Sequence, residues 1–278
     1  MRGICCRHFT MMIDGLKLLL AVAALLLPVV FANPVLRIQN PLIAPVPTCY
    51  RTMQMNYQPA FDFDMDSCYN APAVDPTGAV NPGRSTCDIK NPNNAVECRV
   101  PSYLHNNNVY VRSRTNSGWT AQMYGYYFEV DHKETCSGHR HDWEHVVVWL
   151  EGDVVRYVAA SAHGDYEVRP VQDALEVNGH TKIVYHRDGS STHAMRFAKE
   201  GDEPPENHGG SWFYGGLVDY YGFPNDDVRA AMLANDWLPG KIDFSDVRFA
   251  DALELAKGGY DIPLDVGRDD EGTTYRPC

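Results

Sequence analysis

Between Asp131 and Glu144 the chain reads Asp131-His132-Lys133-Glu134-Thr135-Cys136-Ser137-Gly138-His139-Arg140-His141-Asp142-Trp143-Glu144. Carboxylates and imidazoles are dense enough here that metal binding is the first chemistry to consider. Glu144 leads into His145-Val146-Val147-Val148-Trp149-Leu150, whose β-branched and aromatic side chains favour a strand, so the end of the motif is expected at that strand's start. Alternation along a strand then puts Asp142 and Glu144 on one face. Two carboxylates so placed repel and raise each other's pKa unless a cation stands between them. Oxygens from Asp142, Glu144 and Asp131, completed by water, suit a hard ion such as Ca²⁺ or Mg²⁺, whereas His139 and His141 alone point towards zinc. Equally, the string could form a solvated acidic turn with two histidines satisfied by local hydrogen bonds, and spacing alone does not separate the two. A second string, Asp62-Phe63-Asp64-Met65-Asp66, sets three carboxylates at alternate positions. It suits either a second cation site or an edge strand with an acidic outer face, and it lacks the glycine and glutamate of an EF-hand loop.

The elements that must position these residues are mostly strands. Segments rich in β-branched and aromatic residues at 109–112, 120–130, 144–150, 154–161 and 181–186 are separated by Gly, Pro and Asn clusters. This spacing predicts a mostly β chain, a single-domain β-sandwich with flanking α-helices. Asn225-Asp226-Asp227 caps a helix over 228–235, and Ser245 caps one over 246–257, where Val247, Phe249, Ala250, Leu253 and Ala256 make an apolar stripe that packs on the sheets. Pro34, Pro41, Pro45 and Pro47 predict an extended arm without helix over 33–60. The folded domain is expected over 61–258, with a C-terminal tail over 259–278.

Arg2, Arg7 and Lys17, the apolar run 18–31 and the small Ala32 read as a secretory signal peptide over 1–32. A membrane anchor is the competing reading, but the run is shorter than the roughly 18 to 20 residues a span requires. Loss of 1–32 removes three basic residues and one acid, taking the net charge from −12 to −14. An acidic surface of this kind repels nucleic acid and anionic headgroups, so any anionic lipid has to be met through a cation. Cys49, Cys68, Cys87, Cys98, Cys136 and Cys278 remain. An even number in an exported chain reads as disulfides whose pairing the spacing leaves open, and no C-x-x-C unit supports zinc.

Gly138-His139-Arg140-His141-Asp142-Trp143-Glu144 matches the heptapeptide of the necrosis-inducing NLP (Nep-like) family. Asn107-Asn108-Val109-Tyr110, Gln122-Met123-Tyr124, Tyr126-Tyr127-Phe128, Ser161-Ala162-His163-Gly164 and Thr192-His193 are similar to family blocks in the same order, so the resemblance spans about residues 61 to 257. It implies a sandwich akin to actinoporins and fungal lectins, with a metal site of Asp131, His139, Asp142, Glu144 and His193. His163 is read there as a loop-stabilising or site histidine alike. The resemblance also implies a secreted, monomeric, non-enzymatic virulence toxin of a plant pathogen. Such a protein uses a divalent cation, Ca²⁺ or Mg²⁺, to bind the headgroup of plant glycosylated sphingolipids and permeabilise the plasma membrane. The alternatives are a non-cytolytic member of the family, or a secreted metal-dependent hydrolase with Glu144 as base. Cys68 and Cys98 stand where the family shares a disulfide, while Thr115 and Thr120 replace a second pair of some relatives. Cys136 borders the motif and could brace it with Cys87 as a candidate partner, and Cys49 and Cys278, near the two ends, are candidates to tie them together. Three departures weigh against toxicity: Tyr126 in place of a Trp, Glu129-Val130 in place of Pro-Lys, and Gly189 where cytolytic members often carry a Trp that could meet a lipid interface.

Overall fold

Strands β3 (Trp119–Glu134) and β4 (Ser137–Glu151) form the long antiparallel hairpin on which the rest of the fold is arranged. The computed structural model describes residues 42–272 and Cys278, so the expected signal peptide over 1–32 lies outside the described residues. Around the hairpin, β2 (Val109–Asn116), β5 (Val154–Ala162), β6 (Asp165–Pro170) and β10 (Leu217–Asp219) complete a sheet of order β10-β2-β3-β4-β5-β6. A second sheet contains β1 (Ala60–Phe63), β7 (Glu176–Val177), β8 (His180–Arg187) and β9 (His193–Phe197), with β8 paired to the other three.

The unbroken apolar run at 146–150 follows from burial on both faces of the large sheet. Val146, Val148 and Leu150 join Phe61, Phe63, Tyr124, Phe128, Ile183, Tyr185 and Met195 in a cluster drawn from both sheets. Val147 and Trp149 point the other way, into a cluster with Met232, Phe249, Leu253, Ile262 and Leu264. Helices α3 (Asp226–Ala234) and α4 (Phe249–Leu255) therefore cover the far face of the sheet, as expected, and Trp149 fastens one of them by donating its indole N–H to Ala256 O at 3.1 Å.

Asn225 caps α3, its side chain accepting from Val228 N at 2.9 Å. The second helix departs from expectation. It begins only at Phe249 with Arg248 as N-cap, because Ser245 uses its backbone carbonyl, accepting from Arg248 N and Phe249 N in a preliminary turn. Val247 is consequently 87% exposed instead of packed. The arm also departs: α1 (Thr52–Asn56) is helical, and a further short helix, α2 (Pro101–Leu104), precedes β2. A proline constrains itself and the residue before it, so Pro47 cannot forbid a helix starting at Thr52, and the Gln54 side chain accepts the Arg51 N–H at 2.9 Å to seed it. Three disulfides join Cys49–Cys278, Cys68–Cys98 and Cys87–Cys136: the family's shared pair and the two candidate pairings. Among the described residues no helix is long and apolar enough to cross a membrane.

Candidate metal centre

The hairpin places the first two site residues by register alone, since Asp131 on β3 lies directly opposite His139 on β4. Gly138 permits this approach. Its φ is 117°, and a Cβ there would stand 2.2 Å from the Asp131 carbonyl oxygen. Asp142 is three residues beyond His139, a spacing that puts side chains on opposite faces of a regular strand. The strand is not regular here: His141 adopts φ 60°, the left-handed region, which interrupts the alternation. His141 does not join the site. Its ring meets the Tyr127 hydroxyl at 2.7 Å and stands edge-on to Trp237, so it anchors the irregularity in the core.

As a result Asp131, His139 and Asp142 converge, with ligand atoms all within 4.8 Å of one another, and they are the one such group of three among the described residues. Glu144 and His193 line the same cavity of about 300 Å³ without entering that group. Glu144 lies on the Asp142 side of the strand, as alternation predicts, and accepts a hydrogen bond from the Ser161 hydroxyl. His193 meets Asp131 Oδ1 through Nδ1 at 2.7 Å and through its backbone N–H at 2.8 Å, and donates Nε2–H to Asp66 O at 3.1 Å. With both ring nitrogens engaged, His193 orients Asp131 and offers no lone pair to an ion. His163 sits in an exposed turn beside Asp188, at 3.2 Å, on the rim of the cavity.

The electrostatics show a shortage of positive charge. Burial pushes the Asp142 carboxyl up to about 7, with the Asp131 charge adding to the effect. Burial, then Asp142, drives Glu144 well above the usual carboxylate range. For His193 burial works against protonation, but hydrogen bonds to Asp131 and Asp66 outweigh it and raise it to about 9. His139 carries a more specific sign. Its Nδ1 lies 2.9 Å from the His141 carbonyl, which can only accept, so the proton belongs on Nδ1. Nε2 lies 3.4 Å from Asp131 Oδ2, an ion pair when the ring is protonated and a lone pair beside a carboxylate when it is neutral. In the neutral ring a cation between the two relieves that contact, and a carbonyl behind the second nitrogen is the usual support of a metal-ligating histidine. The donor set of two carboxylates and one imidazole therefore fits a divalent cation.

The string Asp62-Phe63-Asp64-Met65-Asp66 makes no such group. Asp62 is buried and accepts from Glu206 N and from Asn207, Asp64 pairs with Arg196 at 3.2 Å, and Asp66 faces Arg187 at 3.6 Å. Conversely, Tyr185 was not singled out by sequence, yet its hydroxyl donates to Asp142 Oδ2 at 3.0 Å. Its place in a strand with alternating apolar positions was the available signal. Ser161, quoted only as part of a family block, emerges as the partner of Glu144.

Residues 51–256 match the family described as Necrosis inducing protein (NPP1). NLP effector protein 10 of Phytophthora capsici is 29% identical over 223 residues, 78% of this chain and 88% of the relative. NLP effector protein 3 of Plasmopara viticola is 34% identical over 195 residues, 68% of this chain and 80% of the relative. Among solved structures, NLPPya in complex with glucosamine superposes with a TM-score of 0.64 at 27% identity, covering 77% of this chain and 95% of that one. NLPPya has also been solved in complex with mannosamine, and that structure superposes with a TM-score of 0.63.

Proposed function

This chain belongs to the necrosis-inducing protein (NPP1) family, and we propose that it is a secreted, cation-dependent effector that binds a sugar-bearing sphingolipid headgroup and permeabilises the target plasma membrane without catalytic turnover. The observation that carries this is the convergence of the buried Asp131 and Asp142 with the half-buried His139, whose Nδ1 faces the His141 carbonyl and whose Nε2 faces Asp131. Asp131 and Asp142 supply hard oxygen donors and His139 a neutral nitrogen, while His193 and Tyr185 fix the two carboxylates. A bound Ca²⁺ or Mg²⁺ would offset these charges and leave positions open to hydroxyl oxygens of a ligand. The two NLPPya complexes with amino sugars support a sugar as that ligand, and the facing sheets support a sandwich of the actinoporin and lectin type. An acidic chain of net charge −12 meets an anionic headgroup better through a cation than directly.

The test is calorimetric titration of Ca²⁺ and Mg²⁺ into the mature protein, followed by dye release from vesicles containing plant glycosylated sphingolipid. Cation-dependent leakage that Asp142→Ala abolishes is expected, whereas leakage indifferent to chelator removes the mechanism. One observation favours a second reading, a non-cytolytic member with the same site. The turn between β8 and β9 is exposed at residues 188–191 and contains no aromatic side chain to enter a lipid interface. Cation and headgroup binding without leakage would select it.

A further inference from the structure

The cation group stands on the outer end of a hairpin, where pairing is weakest. Beyond Asp131 and His139 the only remaining rungs are His132–Gly138 and Glu134–Ser137, and the register shifts between them. Lys133, Glu134, Thr135 and Cys136 are exposed, and Cys136 turns the chain at φ 59°. His132 is buried against His193 and Pro92, but the four exposed residues beyond it have few buried contacts, and an end of this kind frays unless it is tied down. Fraying would separate Asp131 from His139, which approach to 3.4 Å only because their strands are held in register.

Cys136 at the tip is bonded to Cys87. Cys87 belongs to a loop that is itself secured at Ile89, which is fully buried in a small cluster with Cys68, Ala95, Cys98 and Val130. The Cys68–Cys98 disulfide closes the base of that loop. The same side of the molecule holds the hairpin twice more: Arg140 on β4 donates to Pro82 O at 2.7 Å, and Arg187 on β8 donates to Lys133 O at 3.0 Å. The covalent path therefore runs from a buried cluster through Cys87 to the turn that joins the two ligand-bearing strands.

We propose that the Cys87–Cys136 disulfide is a positioning element of the cation site, clamping the hairpin tip so that Asp131 and His139 stay in register, a role the Cys49–Cys278 disulfide does not share. It acts through these residues and touches no ligand. The proposal rests on the cation-binding function proposed above, and the experiment separates the two.

Calorimetric titration of Mg²⁺ and Ca²⁺ compares the oxidised wild-type chain, Cys87→Ser/Cys136→Ser and Cys49→Ser/Cys278→Ser, with thermal unfolding recorded for each. Removing the clamp is expected to weaken cation affinity about ten- to a hundredfold, the usual cost of losing the support of a metal ligand. Removing Cys49–Cys278 is expected to lower the unfolding temperature and leave affinity unchanged. Unchanged affinity without the clamp, or equal loss in both variants, overturns the proposal. Native-state hydrogen exchange on the wild-type chain decides if the clamp variant fails to fold or if the wild type binds no cation. Amides of residues 132–138 protected to the level of the sheet centre support the clamp, and exchange at free-peptide rates refutes it. Absence of wild-type cation binding alone defeats the proposed function instead.

Discussion

Two strings of acidic residues look alike in sequence and end in opposite electrostatic states. In Asp62-Phe63-Asp64-Met65-Asp66 every carboxylate finds its own donor inside the protein: backbone and amide N–H groups at 206 and 207 for Asp62, Arg196 for Asp64, Arg187 and His193 for Asp66. Burial raises Asp66, but the hydrogen bond and charge of His193 and the charge of Arg187 hold it below its ordinary value. Around Asp131, Asp142 and Glu144 the carboxylates face one another, with the His139 and His193 imidazoles, the latter shared with Asp66, offsetting only part of their charge. A high density of carboxylates is therefore a poor indicator of a cation site. Buried negative charge that the protein leaves unmatched is a better one, because solvent cannot neutralise it and an ion can.

The sharpest way to break this distinction is to exchange one carboxylate from each string. Asp142→Asn preserves shape and removes charge. Cation affinity is expected to fall more than about a hundredfold, since a direct ligand matters at least as much as the groups behind it. In chelator, the same variant should unfold at a higher temperature than wild type, because an uncompensated buried charge has gone. Asp62→Ala should do the reverse. It strands three N–H donors at Glu206 and Asn207, two of them in buried hydrogen bonds, and urea unfolding is expected to show a loss of about 3 kcal/mol with cation affinity unchanged. Comparable affinity losses in both variants would erase the contrast.

Backbone geometry offers the next test. Gly138→Ala forces a Cβ to 2.2 Å from Asp131 O at a φ of 117°, so the strands must part at the ligand pair. Destabilisation of about 2 to 3 kcal/mol is expected, with weakened cation binding. Gly189→Ala, in an open turn at φ 58° with nothing within 4 Å, should cost about 1 kcal/mol and leave binding intact. Denaturant midpoints and calorimetry on both variants report the two effects together.

Much of this was legible from sequence, and the limits have physical causes. The strands, the far-face helices and the side shared by Asp142 and Glu144 follow from local alternation and capping, which short windows contain. Of the three disulfides, Cys68–Cys98 was expected from the family's shared pair, while Cys87–Cys136 and Cys49–Cys278 were candidates whose pairing the spacing left open. What escaped depends on partners distant in sequence. Tyr185 reaches Asp142, and His193 is turned away from the ion by Asp66, through packing of one sheet on the other. The left-handed His141 is held by Tyr127 and Trp237, and no local preference announces it. Helix α1 was missed because the prolines before it were allowed too long a reach.

The two regions should also differ in how stability responds to pH. Asp142 is lifted to about 7 from an ordinary value near 3.8, chiefly by burial. Between those values the folded chain binds more protons than the unfolded one, so stability contributed by the protonated group is complete below about 4 and is lost as pH rises through 7. Metal-free protein is expected to lose stability across that window, and added Mg²⁺ or Ca²⁺ should flatten the slope. His193, raised to about 9, adds stability that is present below its unfolded value near 6.5 and fades as pH rises through 9. Chemical denaturation from pH 4 to 9, with and without cation, measures both, and a cation-insensitive slope would contradict the assignment of Asp142.

The smallest effect is expected where an acid of the first string keeps its own arginine. Arg196 is shared by Asp64 and Asp202, at 3.2 and 2.6 Å, and both acids retain some contact with solvent. Burial already raises Asp64 to about 6 against the pull of Arg196. Arg196→Met keeps the packing of the stem and removes the charge, so Asp64 should rise further. The added penalty appears only where Asp64 is ionised in the folded wild type, above about pH 6. Partly exposed pairs contribute little, so a loss of about 1 kcal/mol at pH 8, shrinking as pH falls toward 6, is expected from urea unfolding. Cation affinity should stay at the wild-type value, because nothing in that pair faces the converging group. A drop in affinity would mean that the two strings are electrostatically one site, and the internal pairing of Asp64 would no longer set them apart.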